Sequence, residues 1–446
     1  MALPVAVQRY LEKRGLRSPW RIEGNARCDY QGAVIIPALA ESDSLFATLD
    51  SLQTSPAALL DQFFIVVVVN HRQDAAASDK QDNYRTLRKL AEAAVDRPNL
   101  SWIDAASEGL ELPSKTGGVG LARKLGFDLA LERLDWTGAR ILATLDADTL
   151  VRADYLPALS KHFATSAAGG AVVPFCHPAA SDKTEQGAIV AYELYLRAHV
   201  LGLQLAGSPY AFHTVGSTMS CRALDYVRAG GMNRRQAGED FYFLQQLAKT
   251  SGVSGVAGTV VYPSARISCR TPFGTGRSVA QLAADPHPAR LYYDPRCYGV
   301  LGGWLQLVTQ YWHSEARELL ARAAAISAVL EDFLVTEGLQ DVWPGLCRNH
   351  GGAEGRLNAL HGWFDGLKTT RLIHRLTAAG WHRQTATEAL PPLFQWAGLP
   401  AAEDPEKQLN LLRRLQIGTA CAFCKTRLSR KSRCCRVEVS PCLPDR

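Results

Sequence analysis

The sequence predicts an α/β fold followed by a helical region, and three observations carry that expectation. Strand-like apolar runs alternate with amphipathic helical stretches through the first half of the chain, the pattern of a sheet wrapped by helices. The longest uninterrupted apolar run, residues 63–69 (FFIVVVV), has the length and β-branched content of a buried strand. From about residue 291 strand signals vanish and helical spacing dominates, as in Leu319, Ala323, Ile326 and Leu330 of ELLARAAAISAVLEDFL.

The individual elements follow in order. The opening MALPVAVQRYLEKRG reads as the first turns of a helix, within an N-terminal extension over 1–29. Residues 33–37 (AVIIP) read as a buried strand, and Leu45, Leu49 and Leu52 then recur at helical spacing. After the 63–69 strand, Tyr84, Leu87 and Leu90 mark a helix, and 100–103 a short strand. A glycine-rich loop leads into a helix marked by Leu121, Leu125 and Leu129. Residues 140–145 form the next strand, which runs into Asp146, and 171–173 and 258–262 are further strand candidates. A boundary falls near 285, in AADPHPAR. The first unit thus spans 30–285, a helical region 286–418, and a basic, cysteine-rich tail 419–446.

Composition sets the class. The chain has 446 residues, 47% of them hydrophobic and 21% charged, which suits a folded protein of two or three domains. No apolar run approaches the roughly 20 residues needed to cross a bilayer. The start lacks the basic-then-apolar order of a secretory signal, and six of the 11 cysteines are scattered singly. Both features predict a cytoplasmic protein without a disulfide framework. A net charge of +6 suits a protein that handles anions and does not call for nucleic acid.

Ligands of open α/β sheets bind beyond the carboxyl ends of the strands, so the residues just after each strand are the candidates. Pro37 through Glu41 follow the first strand, Asn70, His71 and Arg72 the second, and Asp146, Ala147 and Asp148 the fourth. Two carboxylates one residue apart at a strand end suit Mg²⁺ or Mn²⁺ completed by phosphate oxygens, and equally suit a plain turn. The loop SKTGGVGLAR, holding Lys115 and Arg123, opens a helix and can present backbone N–H groups to phosphate; a solvated connection is the alternative. Glu239 and Asp240 precede a helical stretch, where an acid either caps the helix or acts as a general base. Arg266, Arg270 and Arg277 flank PFGTG, a basic loop able to cover pyrophosphate or simply to stay in solvent.

In this order, the segments AVIIPALAESDSLFATLDSL, GGVGLARKLGFDLAL, LDADTLVRADYL and GSTMSCRALDYVRAGGMNRRQAGEDFYFLQQL resemble the family 2-type inverting glycosyltransferases of the GT-A fold. The resemblance covers about residues 30–285. It implies a mostly parallel central sheet and a sugar transferred with inversion from a nucleotide-diphosphate donor to an acceptor hydroxyl. A divalent cation, Mg²⁺ or Mn²⁺, would assist. Pro37, Glu41 and Asn70 would contact the nucleoside. Asp146 would lie near the ribose or metal and Asp148 would be the more direct metal ligand. Asp240 would be the base with Glu239 beside it, and Gly216 and Ser217 would lie near the donor sugar or acceptor. Arg123 or Arg270 would aid the departing diphosphate, with Lys115 adding charge nearby. Leu39 and Ala40 stand where the family usually has an aromatic and an Asn, and Asn70 where it often has Asp, which leaves the nucleotide open. The acceptor would be a glycan or a lipid-linked acceptor, the latter consistent with peripheral attachment at the inner face of a membrane.

Two regions fall outside the resemblance. In the tail, Cys421, Cys424, Cys434 and Cys435 amid basic residues suit zinc, but the second pair is adjacent rather than C-x-x-C; an unstructured terminus is the alternative. Trp304, Trp312, Trp343 and Trp363 of the helical region either stack on sugars or fill a core. The competing function is a scaffold with a degenerate transferase fold. A nucleotidyltransferase fits less well, because residues 33–45 hold no glycine-rich loop.

Overall fold

The computed structural model describes residues 3–180, 182–236, 238–266, 275–284 and 291–417. Its strands are β1 (Ile22–Gly24), β2 (Gly32–Ala38), β3 (Phe63–Asn70), β4 (Leu100–Ala105), β5 (Ile141–Thr144), β6 (Leu150–Val151), β7 (Gly170–Val172), β8 (Met219–Arg222), β9 (Val253–Gly255) and β10 (Val261–Tyr262). Eight of them form one sheet in the order β1-β4-β3-β2-β5-β8-β7-β9, while β6 and β10 form a separate antiparallel pair. The β4-β3-β2-β5 block is parallel, with Val34 opposite both Ile65 and Ala143. Only β1 and β8 run against the rest. The carboxyl ends of β2, β3, β4, β5, β7 and β9 therefore meet on one edge, and β8 begins there.

The helices of the first half are α1 (Val5–Lys13), α2 (Leu45–Gln53), α3 (Ala57–Leu60), α4 (Ala77–Ala93), α5 (Val119–Ala130), α6 (Tyr155–Thr165), α7 (Lys183–Leu205), α8 (Ala223–Arg228), α9 (Glu239–Thr250) and α10 (Thr275–Ala284). They cover both faces of the sheet. Ala33, Ile35, Phe64, Val66 and Val68 pack with α1, α5, α8 and α9. The alternate residues Val34, Ile36, Ile65, Val67 and Val69 pack with α2, α4 and α6. Every residue of β2 and β3 is buried, which is why these strands read as unbroken apolar runs rather than alternating ones.

The helical region holds α11 (Pro295–Gln310), α12 (Ala316–Ile326), α13 (Ala328–Thr336), α14 (Leu339–Asn349), α15 (Gly352–Trp363), α16 (Gly366–Ala378), α17 (Ala386–Ala397) and α18 (Pro405–Ile417). Its core is continuous with one face of α7: Val190, Leu194, Ala198 and Leu201 lie in the same cluster as Trp304, Trp343 and Leu412. Trp304 and Trp343 are thus core residues. A polar hub locks the contact. Glu193 of α7 accepts from Arg197 Nε at 2.7 Å, Arg413 Nη2 at 2.6 Å and His177 Nδ1 at 2.9 Å. Burial alone would raise its pKa, but the hydrogen bonds from Arg413 and His177 and the charge of Arg197 hold it far below the ordinary carboxylate range. From the same end of α18, Gln416 meets His213 Nε2 at 3.1 Å. This ties the C-terminal helix to the segment that leads into Gly216.

Within the expected 258–262 strand only Val261 and Tyr262 pair, and they pair with β6. The other strand expectations fall within one or two residues of observed strands. The five described cysteines outside the tail are free. No described helix is long and apolar enough to cross a membrane. Arg270 and the cysteine-rich tail lie outside the described residues.

Candidate active site

Polar groups gather at the carboxyl edge of the sheet because the first residue beyond each buried strand is the first one free to face a ligand. β5 stops at Thr144, and Asp146 and Asp148 follow on a turn closed by Thr149 N–H donating to the Asp146 carbonyl at 3.1 Å. Thr48 Oγ1 of α2 donates to the Ala147 carbonyl at 3.0 Å, pinning the turn between the two carboxylates. From the short turn Gly216–Thr218 just before β8, buried Ser217 donates its Oγ to Asp146 Oδ2 at 2.6 Å and accepts from Thr149 Oγ1 at 3.0 Å.

Arg123 joins this turn to the Glu-Asp pair. It sits near the start of α5 and is only 2% exposed. Its Nη2 donates to Asp146 Oδ1 and its Nη1 to Glu239 Oε1. Two glycines permit the approach. A Cβ at Gly120 would strike the Arg235 carbonyl and lie 2.9 Å from Glu239 Cβ, and a Cβ at Gly216 would fall on the Arg123 guanidinium. Because that guanidinium is buried and held at both ends, Gly216→Ala is expected to destabilise the chain by about 1–3 kcal/mol, as overpacking does. Urea unfolding checks this against Gly187→Ala, where the added methyl meets open space and stability should not fall.

Glu239 is buried and Asp240 half-buried in the first turn of α9. Asp240 Oδ1 accepts the N–H of Phe241 at 2.7 Å. Burial first, then the negative charge of Glu239, push the Asp240 carboxyl up to about 7, with Arg123 opposing. Glu239 is raised as well, by burial, against the pull of Arg123. Asp148 is pushed up to about 6 by burial and by Asp146, with Arg266 opposing. Arg266 Nε donates to Asp148 Oδ2 at 3.0 Å, and its Nη2 donates to both carboxylate oxygens of Glu41. Glu41 also accepts from Ser44 Oγ at 2.6 Å.

The structure thus shows two ion-paired clusters, Glu41–Arg266–Asp148 and Asp146–Arg123–Glu239, joined by the Asp146–Asp148 turn, with Ser217 on Asp146, Gly216 against Arg123 and Asp240 next to Glu239 in the chain. Pro37 lies inside β2, buried opposite Val68. Asn70 is buried at the end of β3, and its amide nitrogen donates to the Ala38 and Val68 carbonyls at 3.1 and 3.0 Å. Those bonds serve the sheet, so only its Oδ1 remains for a nucleoside. Lys115 is exposed, and its carbonyl accepts from Gln236 Nε2 at 2.9 Å, which lays the glycine-rich loop against the segment leading to Glu239.

Two residues gain roles that sequence reasoning did not give them. Asn83 Oδ1 accepts the Ala40 N–H at 2.9 Å, and its Nδ2 donates to the Asn70 carbonyl at 3.0 Å. It thereby braces Ala40, whose φ of +52° is left-handed, immediately before Glu41. Mid-helix in a polar stretch, Asn83 gave no signal. Arg266 stood in the sequence as one basic loop residue among three, and its two carboxylate partners are far away in the chain.

Among the described residues, no group of three or more His, Cys, Asp or Glu side chains is arranged to hold a metal ion. Two carboxylates completed by substrate oxygens are nevertheless enough for Mg²⁺ or Mn²⁺, and Asp146 and Asp148 offer such a pair on one turn. Among the described residues, Arg123 pairs with Asp146 and Glu239, and Arg266 with Glu41 and Asp148. The raised carboxyls of Asp148, Glu239 and Asp240 reflect burial first and then neighbouring carboxylates, opposed by Arg266 or Arg123.

No family model and no curated protein matches the sequence. Among solved structures, the chain is similar to S. aureus TarS 1-349 in complex with UDP-GlcNAc, with a TM-score of 0.39, 11% identity, and 79% of this chain and 93% of that one covered. It is also similar to the mannosyltransferase PcManGT from Pyrobaculum calidifontis in complex with GDP-Man and Mn²⁺, with a TM-score of 0.37, 15% identity and 92% of each chain covered. At scores this low, the functional reading rests on the geometry of the site itself.

Proposed function

We propose that the chain is an inverting glycosyltransferase of the GT-A fold, similar to family 2, that moves a hexosyl unit from a nucleotide-diphosphate sugar to an acceptor hydroxyl. The observation that supports this most is the pair of ion-paired clusters, Glu41–Arg266–Asp148 and Asp146–Arg123–Glu239, that meet at the turn after β5, with Asp240 adjoining Glu239. It supports the reading because these carboxylates follow β2 and β5 and open α9 near the carboxyl edge of the sheet. In this reading residues 30–285 are the transferase unit and the helical region is an acceptor or partner surface. The acceptor is a glycan or a lipid-linked acceptor.

Each residue then has a task. Glu41 and Asn70 Oδ1 bind the nucleoside, and Pro37 shapes the strand end behind them. Asp148, with Asp146 beside it, would hold Mg²⁺ or Mn²⁺, which when bound neutralises the leaving diphosphate. Arg123 fixes the carboxylates of Asp146 and Glu239 in place. Asp240 Oδ takes the proton from the acceptor hydroxyl as that oxygen attacks the anomeric carbon from the face opposite the nucleotide. A carboxyl poised near 7 suits this work, because it is basic enough to accept a proton and ionised enough to be ready.

The pH dependence follows. Turnover is expected to rise with pH through about 7 as Asp240 loses its proton. Stability should move the opposite way. The folded state holds this proton more tightly than the unfolded chain, whose Asp titrates near 3.9. Between about pH 4 and pH 7 the native state therefore binds more protons, and stability falls as pH rises. Asp240→Asn removes its share of that slope, leaving those of Glu239 and Asp148, and is expected to melt higher than the natural chain at pH 8. A melting series from pH 5 to pH 8 on both proteins checks it; an equal or lower melting point for Asp240→Asn at pH 8 contradicts the assigned proton.

The functional test is transfer or hydrolysis of a panel of nucleotide sugars with Mn²⁺, Mg²⁺ or EDTA. Metal-dependent turnover of one donor supports the reading. No turnover or binding of any donor by folded protein favours a degenerate scaffold.

A further inference from the structure

Arg266 occupies an unusual position in this network. Its Nε lies 3.0 Å from Asp148 Oδ2, while its Nη2 is bound to both oxygens of Glu41. One guanidinium therefore ties the carboxylate assigned to the cation to the carboxylate assigned to the nucleoside. Arg123 and Arg266 differ in their freedom to leave. Arg123 is enclosed and held by Asp146 and Glu239, with 3% of its side chain exposed. Arg266 keeps 32% of its side chain exposed and lies outside any helix or strand.

We propose that Arg266 competes with a divalent cation for Asp148, and that a nucleoside diphosphate admits the ion by drawing the guanidinium away. The inference rests on the donor-site reading above. A guanidinium stays protonated across the working pH range, so it cannot vacate Asp148 by titration. It leaves only for a better partner. A diphosphate offers several charged oxygens in the geometry a guanidinium prefers, and once its nucleoside is seated at Glu41 it would draw Nε away from Asp148. Loading is then coupled: the ion binds weakly alone and tightly beside the diphosphate. The same side chain ends on the leaving group, where positive charge is needed during transfer.

Mn²⁺ binding to the full chain, followed by electron paramagnetic resonance, tests this apart from activity. The ion is titrated alone and then with UDP, GDP, ADP or CDP, using the natural chain, Arg266→Gln and Arg266→Lys. Asp148→Asn serves as the control that removes the ligand. Without nucleotide, Arg266→Gln is expected to bind Mn²⁺ about 10- to 100-fold tighter than the natural chain, the weight of a charged hydrogen bond removed from the competitor. Arg266→Lys, whose single ammonium cannot bridge Glu41 and Asp148 in the same way, should fall between. The tightening produced by a diphosphate should be large in the natural chain and small in Arg266→Gln. Equal Mn²⁺ affinity in the natural chain and Arg266→Gln without nucleotide overturns the competition while leaving the donor site intact. Absence of Mn²⁺ binding in every chain, with and without each diphosphate, overturns the donor-site reading itself and the competition with it.

Discussion

Asp240→Asn is expected to lower turnover by about 10²- to 10⁴-fold, the usual contribution of a positioned general base, with little change in donor affinity. The separation follows from where Asp240 sits. Its carboxyl caps the first turn of α9 through the Phe241 N–H, a bond the Asn oxygen can also accept. The direct ties to Asp146 and Glu239 belong to Arg123. The substitution therefore removes a proton acceptor and leaves the donor-side network standing. Steady-state kinetics with the donor varied at fixed acceptor resolve the two effects. A fall in turnover below tenfold would take the base role away from Asp240. Glu239 is a poor substitute, because it is buried and its Oε1 is already committed to Arg123.

Arg123→Met is expected to give the largest loss of stability, about 3–5 kcal/mol, the cost of stranding a buried charge by removing its partner. Glu239 carries most of this, since its side chain is 5% exposed, whereas that of Asp146 is 36% exposed and can be solvated. The double substitution Arg123→Met with Glu239→Gln should recover a substantial part of the loss, because the stranded charge is gone. Urea unfolding of the two single variants and the double variant measures this coupling. Additive losses would show that Arg123 and Glu239 do not depend on one another. Met keeps much of the side-chain volume, so the loss reports charge rather than a cavity.

The fold was legible where burial is symmetrical and the strand is long. β2 and β3 are covered on both faces and appear as continuous apolar runs, and the two clusters of alternate residues explain why neither face needed polar side chains. α7 was not legible, although it is the longest helix described. It packs against α10, α11, α17 and α18, so apolar residues surround it and the amphipathic stripe is smeared out. β1 and β9 escaped because they are three-residue edge strands, too short for alternation to register. β8 escaped because MSCR carries little strand signal; its neighbours β5 and β7 hold it in place.

The site was legible in its carboxylates, since Asp-x-Asp after a strand and Glu-Asp at a helix start are local patterns. Its wiring was not. Arg123 reaches Glu239 across 116 positions, and Arg266 reaches Glu41 across 225. Such pairings depend on the sheet order that brings β2, β5 and β8 side by side, which no local pattern encodes. Asn70 shows the converse. It stands at the expected strand end, yet its amide nitrogen is used to join β2 to β3.

The most direct measurement is thermal stability against a panel of nucleotide sugars, with Mn²⁺ and with EDTA, for the natural chain and Asp148→Asn. A ligand present at ~100 times its dissociation constant adds about 2.7 kcal/mol, easily seen as a raised melting point. A donor site at Asp148 predicts that one donor raises the melting point with Mn²⁺, that EDTA removes most of the shift, and that Asp148→Asn abolishes it. Folded protein whose melting point no donor moves, or an Asp148→Asn chain that responds like the natural one, would contradict a nucleotide-sugar site at this edge of the sheet.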